Sequence, residues 1–305
     1  MVKELTKFIC ATACSALFCG YAFCESIPRD FVKVEGATIK GKVNGSNVFM
    51  EDWSNVIIDN LYVCDHEVTQ KEYETYCNYG GKKTPTESYG KGDDVPAYYV
   101  SWYDAIVYCN LRSMDEGLTP VYSLKGETDP KNWKGIVSTD GKYCGPASIN
   151  PTWNSIKTDG NADGYRLPTE EEWEYIAREV DYNTVFTSYY KFSGSDIIDD
   201  VAWYTGNSWV KEQKGNSTVS HPQVKTIKGK NPNNKGIFDM SGNVAEWCWN
   251  FSGRNDLLKL QNEPAVRGGS VYSDENMCAA IARSSIFAFM RKEDVGFRVV
   301  RLCLE

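Results

Sequence analysis

At 305 residues, 42% hydrophobic and 13% aromatic, the chain can build one large domain or two ordinary ones around a sizeable core. Its 9 Trp and 19 Tyr favour an irregular, loop-rich fold wedged by large rings. A net charge of −8, with no basic stripe interleaved with aromatics, argues against a nucleic-acid partner.

The chain opens on a targeting segment. Lys3 and Lys7 accompany a mostly apolar run from Phe8 to Phe23, too short for a membrane span, and Glu25, Arg29 and Asp30 follow at once. Residues 1–24 are set aside from the fold, and export to the periplasm or bacterial cell surface is expected. Ala22-Phe23-Cys24 offers a signal peptidase site, and Cys19 or Cys24 a lipidation site as the alternative. Membrane contact is expected only through such an anchor. Beyond the segment lie Cys64, Cys77, Cys109, Cys144, Cys248, Cys278 and Cys303. No CxxC occurs, and an odd number cannot all pair within the chain. Export permits disulfides, but Cys77 and Cys109 fall on apolar helical faces and read as small buried hydrophobes.

Phe31–Val34 and Thr38–Lys40 read as short strands around the Glu35-Gly36 turn, and Asn55–Cys64 as another. Thr69 with Glu72 forms a capping box for a helix that puts Tyr73, Tyr76 and Cys77 on one face and ends at Gly80-Gly81. Ser101 with Asp104 caps a second helix, closed at Gly117. Residues 119–164 read as a long surface excursion. Thr169 with Glu172 caps a third helix, with Trp173, Ile176 and Ala177 inward and Arg178 at its end. Three capped helices among many short strands, with no βαβ alternation and no repeat, predict an α+β fold. No linker divides 25–305, so a single domain is expected.

The last third carries the strongest pattern. Arg267-Gly-Gly-Ser270 and Gly296-Phe-Arg298 bracket Val271–Val295, which has no clean period. The brackets read as core, with Phe297 and Val299 as inward residues of a closing strand. The bracketed segment reads as an exposed loop held at both ends, where binding or catalysis is usually placed.

Six motifs occur in order: Glu67-Val-Thr69, Val100-Ser-Trp-Tyr-Asp-Ala105, Gly164-Tyr-Arg-Leu-Pro-Thr-Glu170, Gly242-Asn-Val-Ala-Glu-Trp247, Arg267-Gly-Gly-Ser270 and Gly296-Phe-Arg298. Together they resemble the formylglycine-generating enzyme (sulfatase-modifying factor) family. The resemblance implies that family's loop-rich C-type lectin fold, with one or two calcium ions. It does not settle function, because the family holds copper oxidases, iron-dependent sulfur-transfer enzymes and non-catalytic binders.

The oxidases use two cysteines five residues apart to hold copper. Here Cys278 matches the second position but Ser273 stands at the first. A hydroxyl is a poor ligand for Cu(I), so no copper is expected, and Cys278 is catalytic only under the alternative oxidase reading. The iron-dependent members need a histidine cluster, and His66 and His221 are the only histidines. No Gly-x-Ser-x-Gly elbow supports a hydrolase. The family's calcium motif carries over to the side chains of Asp239 and Glu246 and the carbonyls of Gly242 and Val244, hard donors suited to Ca²⁺. Asp159, Asn161, Asp163 and Glu170 also satisfy the EF-hand expression, but no helix precedes them, and the stretch reads as a turn-rich loop.

A subset of the family resembles the variable proteins of diversity-generating retroelements, which diversify a late segment ending near Gly-Phe-Arg. By that resemblance the variable, ligand-binding segment is about 250–298. Its expected contact residues are Tyr272, Ser273, Asp274, Asn276, Ala282, Ser284, Ser285, Ile286, Phe287 and Phe289. All except Asp274 are types that mutated asparagine codons reach. Large rings with adaptable Ser and Asn suit a binding face for an unknown protein or glycan ligand. The competing expectation buries Ile286, Phe287 and Phe289 in the core.

Overall fold

The computed structural model describes residues 27–39, 42–43, 46–47, 56–80, 83–178, 190–251 and 263–304. The targeting segment with Cys19 and Cys24, and residues 252–262 of the expected variable segment, lie outside them.

Three helices begin where the capping boxes place them: α1 (Gln70–Tyr76), α2 (Trp102–Asp115) and α3 (Glu170–Arg178). In α1 the Thr69 hydroxyl accepts from the Glu72 N–H at 3.2 Å, and the Glu72 carboxylate accepts from the Thr69 N–H at 2.8 Å. Ser101 with Asp104 and Thr169 with Glu172 repeat the exchange. Each box satisfies backbone donors that a helix start leaves open. Helix α1 stops at Tyr76, before Gly80, because Cys77 is extended and bridges to Tyr143. A short fourth helix, α4 (Ile198–Val201), carries no cap signal in the sequence.

Leu61–Cys64 is the centre of a three-stranded sheet, with Phe31–Val34 and Val300–Leu302 antiparallel on either side. The sheet thus ties the start of the described chain to its end. The expected strand Asn55–Cys64 is broken at Asp59 and Asn60. Its first part, Val56–Ile58, pairs instead with Ala37–Ile39. A four-stranded sheet runs Arg283–Ser285, Pro264–Arg267, Ala245–Phe251, Val295–Gly296, the last pair parallel.

Val271–Val295 is therefore not loop throughout, as the missing period suggested. Arg283–Ser285 is an edge strand of this sheet, too short to show alternation in the sequence. Phe297 and Val299 are fully buried as expected, but regular pairing begins only at Val300. Their carbonyls instead accept single bonds from Val68 and Cys64.

The main core gathers rings from distant parts of the chain. Phe297 meets Tyr108 edge-on at 5.3 Å, and Trp133 meets Trp153 at 5.3 Å, geometries aromatic pairs prefer. A second cluster packs Trp173 and Ile176 of α3 against Leu61 and Val63. All seven cysteines beyond the targeting segment are free and buried, Cys77 and Cys109 included. Among the described residues no helix is long and apolar enough to cross a membrane.

Candidate functional site

Four arginines hold the segment between the two glycine motifs. Arg267 is buried and donates to Glu170 at 2.7 Å, to Glu174 at 2.7 Å and to the Ala280 carbonyl at 3.1 Å. Arg298, also buried, forks onto Glu246 at 2.8 and 2.6 Å. Within the segment, Arg283 forks onto Glu170 and Arg291 onto Asp104. Paired, bidentate contacts of this kind fix direction as well as distance. The backbone is tethered too. The Thr205 N–H donates to the Ser273 carbonyl, the Trp102 N–H to Ala288 and the Tyr99 N–H to Lys292, at 2.8 to 3.0 Å. Gly269 is required where it stands: its φ is +70°, and a Cβ there would lie 2.7 Å from the Met277 carbonyl.

On this frame the expected contact residues reach the surface in two grades. Tyr272 and Phe287 are 38% and 39% exposed, with Asp274, Asn276 and Ser284 exposed beside them. Ser273, Ala282, Ser285, Ile286 and Phe289 are half-buried. Ile286 and Phe289 lean on the main core, while the Phe287 ring stacks on Phe289 at 5.9 Å. The burial of all three apolar residues does not occur.

Four further apolar residues in or next to the segment, which sequence reasoning missed, are exposed. Met277, Ile281 and Met290 are exposed, and Trp209, from the hairpin of Trp209–Lys214 with Ser217–Pro222, is 54% exposed. The hairpin joins the segment through the Ser208 hydroxyl, which donates to the Val271 carbonyl. Apolar residues in an aperiodic polar stretch were the available signal for the first three.

The two positions where the oxidases carry cysteines differ in character. The Ser273 hydroxyl accepts from the Ser270 N–H at 2.9 Å. Cys278 is fully buried, and burial together with Asp274 pushes its thiol up to about 12, so it stays protonated at neutral pH. The two positions thus hold one hydroxyl and one buried thiol in place of a thiolate pair.

The expected calcium donors follow one another along residues 239–246, and most of their carboxylate oxygens are taken. Glu246 accepts from Arg298 and, at 2.7 Å, from Trp173 Nε1. Asp239 Oδ2 accepts from the Lys228 N–H at 2.7 Å, leaving Oδ1 buried without a partner. Neighbouring Glu67 accepts from Asn243 and the Val244 N–H. Burial pushes Asp239 up to about 6 and, with Asp239 and Glu246 as neighbours, Glu67 well above the usual range. Arg298 supplies one counter-charge to these carboxylates, and the orphaned Asp239 oxygen is the carboxylate donor of the expected set still open to a cation. At the EF-hand match, Glu170 is spent on Arg267 and Arg283, the Asp159 side chain accepts from the nearby Asn161 N–H, and the Asp163 side chain accepts from the distant Thr119 N–H.

His66 is buried, with Nδ1 2.6 Å from Asp65 and Nε2 3.4 Å from Glu72. Burial would lower its pKa, but the Asp65, Cys64 and Glu72 contacts outweigh it and hold the ring protonated, up to about 12. Cys64, Asp65 and His66 each offer a ligand atom within 4.8 Å of the others, with the ring engaged by Asp65 and Glu72. His221 sits on the hairpin beside Glu212.

This architecture matches the Sulfatase-modifying factor enzyme 1-like domain over residues 27–303. The chain is 32% identical to "Chaperone protein LppX" of Paenibacillus barcinonensis, over 99% of both chains. It is 27% identical to the formylglycine-generating enzyme of Streptomyces coelicolor, over 49% of this chain and 51% of that one. Among solved structures, Treponema denticola variable protein 1 superposes with a TM-score of 0.64 at 24% identity, covering 90% of this chain and 95% of the other. The fold is the family's C-type lectin variant, and the protein belongs to the formylglycine-generating enzyme (sulfatase-modifying factor) family.

Proposed function

We propose that this protein is an exported, non-catalytic binding protein that holds a protein or glycan ligand on the face built from Val271–Val295. One observation carries the reading. A serine hydroxyl and a buried thiol stand where the oxidases keep two copper-binding thiolates. Exposed rings on a backbone pinned by ion pairs fit a preorganised contact surface, which loses little entropy on binding. Diversification of the segment, surface display and a lipid anchor belong to the same proposal.

The test uses the double variant Tyr272→Ala/Phe287→Ala. A partner retained from a cell-surface extract by the immobilised wild-type chain is lost with the variant, while the melting temperature is unchanged. Equal retention by a folded double variant contradicts the reading.

The chaperone relative favours a second version of the same chemistry, in which the face holds an incompletely folded secreted protein. The apolar side chains Met277, Ile281, Phe287 and Met290 suit such a client. Suppressed aggregation of a urea-unfolded secreted enzyme on dilution, lost in the double variant, distinguishes this version from a binder of folded ligands.

A further inference from the structure

Below the exposed rim, Met277, Ala282, Ile286 and Val295 wall a pocket of about 140 Å³, with Ser270, Ser273 and Asp294 in its polar lining. That is room for one side chain, since drug-sized ligands take about 300–1,000 Å³. Asp294 is 9% exposed. Its Oδ2 accepts from the Ser270 hydroxyl at 2.8 Å, while Oδ1 is buried and accepts no hydrogen bond. A buried carboxylate oxygen without a hydrogen bond is costly, and Asp294 belongs to the lining of a pocket.

The Lys292 ammonium stands 3.2 Å from Oδ1 without the angle of a hydrogen bond, on a side chain that is 40% exposed. The ammonium end of the pair is solvated, so a second ammonium can take its place. It also shows which chemical group the carboxylate attracts. Arg267 and Arg283 line the same pocket, but their guanidinium groups are committed to Glu170 and Glu174. Nearby, burial and the neighbours Tyr89, Glu293, Asp294 and Tyr99 raise the Tyr272 phenol, so electron-rich rings and carboxylates crowd together there. Lys83 already lies over the Tyr99 ring at 5.4 Å, the kind of contact a cation makes with an aromatic face.

We propose that this pocket takes the ε-ammonium of a lysine side chain presented by a protein ligand, displacing Lys292 from Asp294. The proposal rests on the reading of Val271–Val295 as a contact face. An anion is repelled by Asp294. An arginine brings a wide planar fork to a site with one free acceptor oxygen, whereas an ammonium is a compact point charge. The apolar walls suit the lysine's methylene stem.

The probe is Nα-acetyl-lysine methylamide, titrated into the purified chain and followed by NMR shifts. Saturable binding is expected, with none for the same probe acetylated at Nε. Asp294→Asn, which keeps an oxygen for Ser270, weakens binding by roughly five-fold or more, and Lys292→Met tightens it by roughly as much. Equal binding of the acetylated probe, or no gain in Lys292→Met, overturns the proposal. Lys292→Met decides the matter even if Asp294→Asn fails to fold. A partner still held through Tyr272 and Phe287 while the probe does not bind sinks the lysine pocket alone. Loss of both sinks the face.

Discussion

Arg283, inside the contact segment, grips Glu170 at the start of α3, with Nε 2.7 Å from Oε1 and Nη2 2.5 Å from Oε2. Buried Arg267, from the glycine motif, donates to the same Oε1 at 2.7 Å. One carboxylate therefore fixes both the constant anchor and the edge strand of the face. Removing its charge weakens both grips at once, with Glu174 left as the counter-charge of Arg267. Glu170→Gln is expected to lower stability by about 1–3 kcal/mol, read from urea unfolding. Arg283→Met costs less, because that side chain is 25% exposed. Equal losses contradict the shared-carboxylate account.

Exposure separates the face from the core under it. Tyr272→Ala and Phe287→Ala are expected to change stability by under about 1 kcal/mol. Phe297→Ala, in the buried anchor, costs about 3–5 kcal/mol. Thermal melts of the three variants check this, and a large loss at Phe287 returns that ring to the core.

The helices and the glycine-bracketed segment were legible because their signals are local. A capping box announces its helix within four residues, and glycine motifs mark tight backbone approach. The rest depends on partners far along the chain. Nothing near Arg298 shows that Glu246 awaits it, or that Arg291 reaches Asp104. The edge strand Arg283–Ser285 exists because Pro264–Arg267 offers it a ladder, not because of its own pattern. For the same reason the motif that suggested calcium did not show that an arginine supplies the charge.

His66 gives stability a defined pH dependence. Its folded pKa is raised, so its contribution is complete below the unfolded value near 6.5 and is lost as pH rises toward 12. The advantage of wild type over His66→Gln is expected to shrink between pH 7 and 9, by up to about 1.4 kcal/mol per pH unit. Paired urea titrations measure it, and parallel curves contradict the buried imidazolium.

Arg298 predicts the response to calcium. With Glu246 saturated by the guanidinium and Trp173, added Ca²⁺ or a chelator is expected to leave the wild-type melting temperature unchanged. A rise that saturates with Ca²⁺ and disappears in Asp239→Ala shows instead that the ion displaces Arg298.

The central claim is that the segment at the oxidases' copper-site positions serves here as a contact face, and catalysis tests it most directly. The purified chain, loaded with copper and given oxygen, is incubated with a cysteine-containing sulfatase peptide and the peptide mass is followed. The account predicts an unchanged peptide, with Cys278 still a free thiol. Turnover of the peptide cysteine to an aldehyde, abolished in Cys278→Ala, contradicts it.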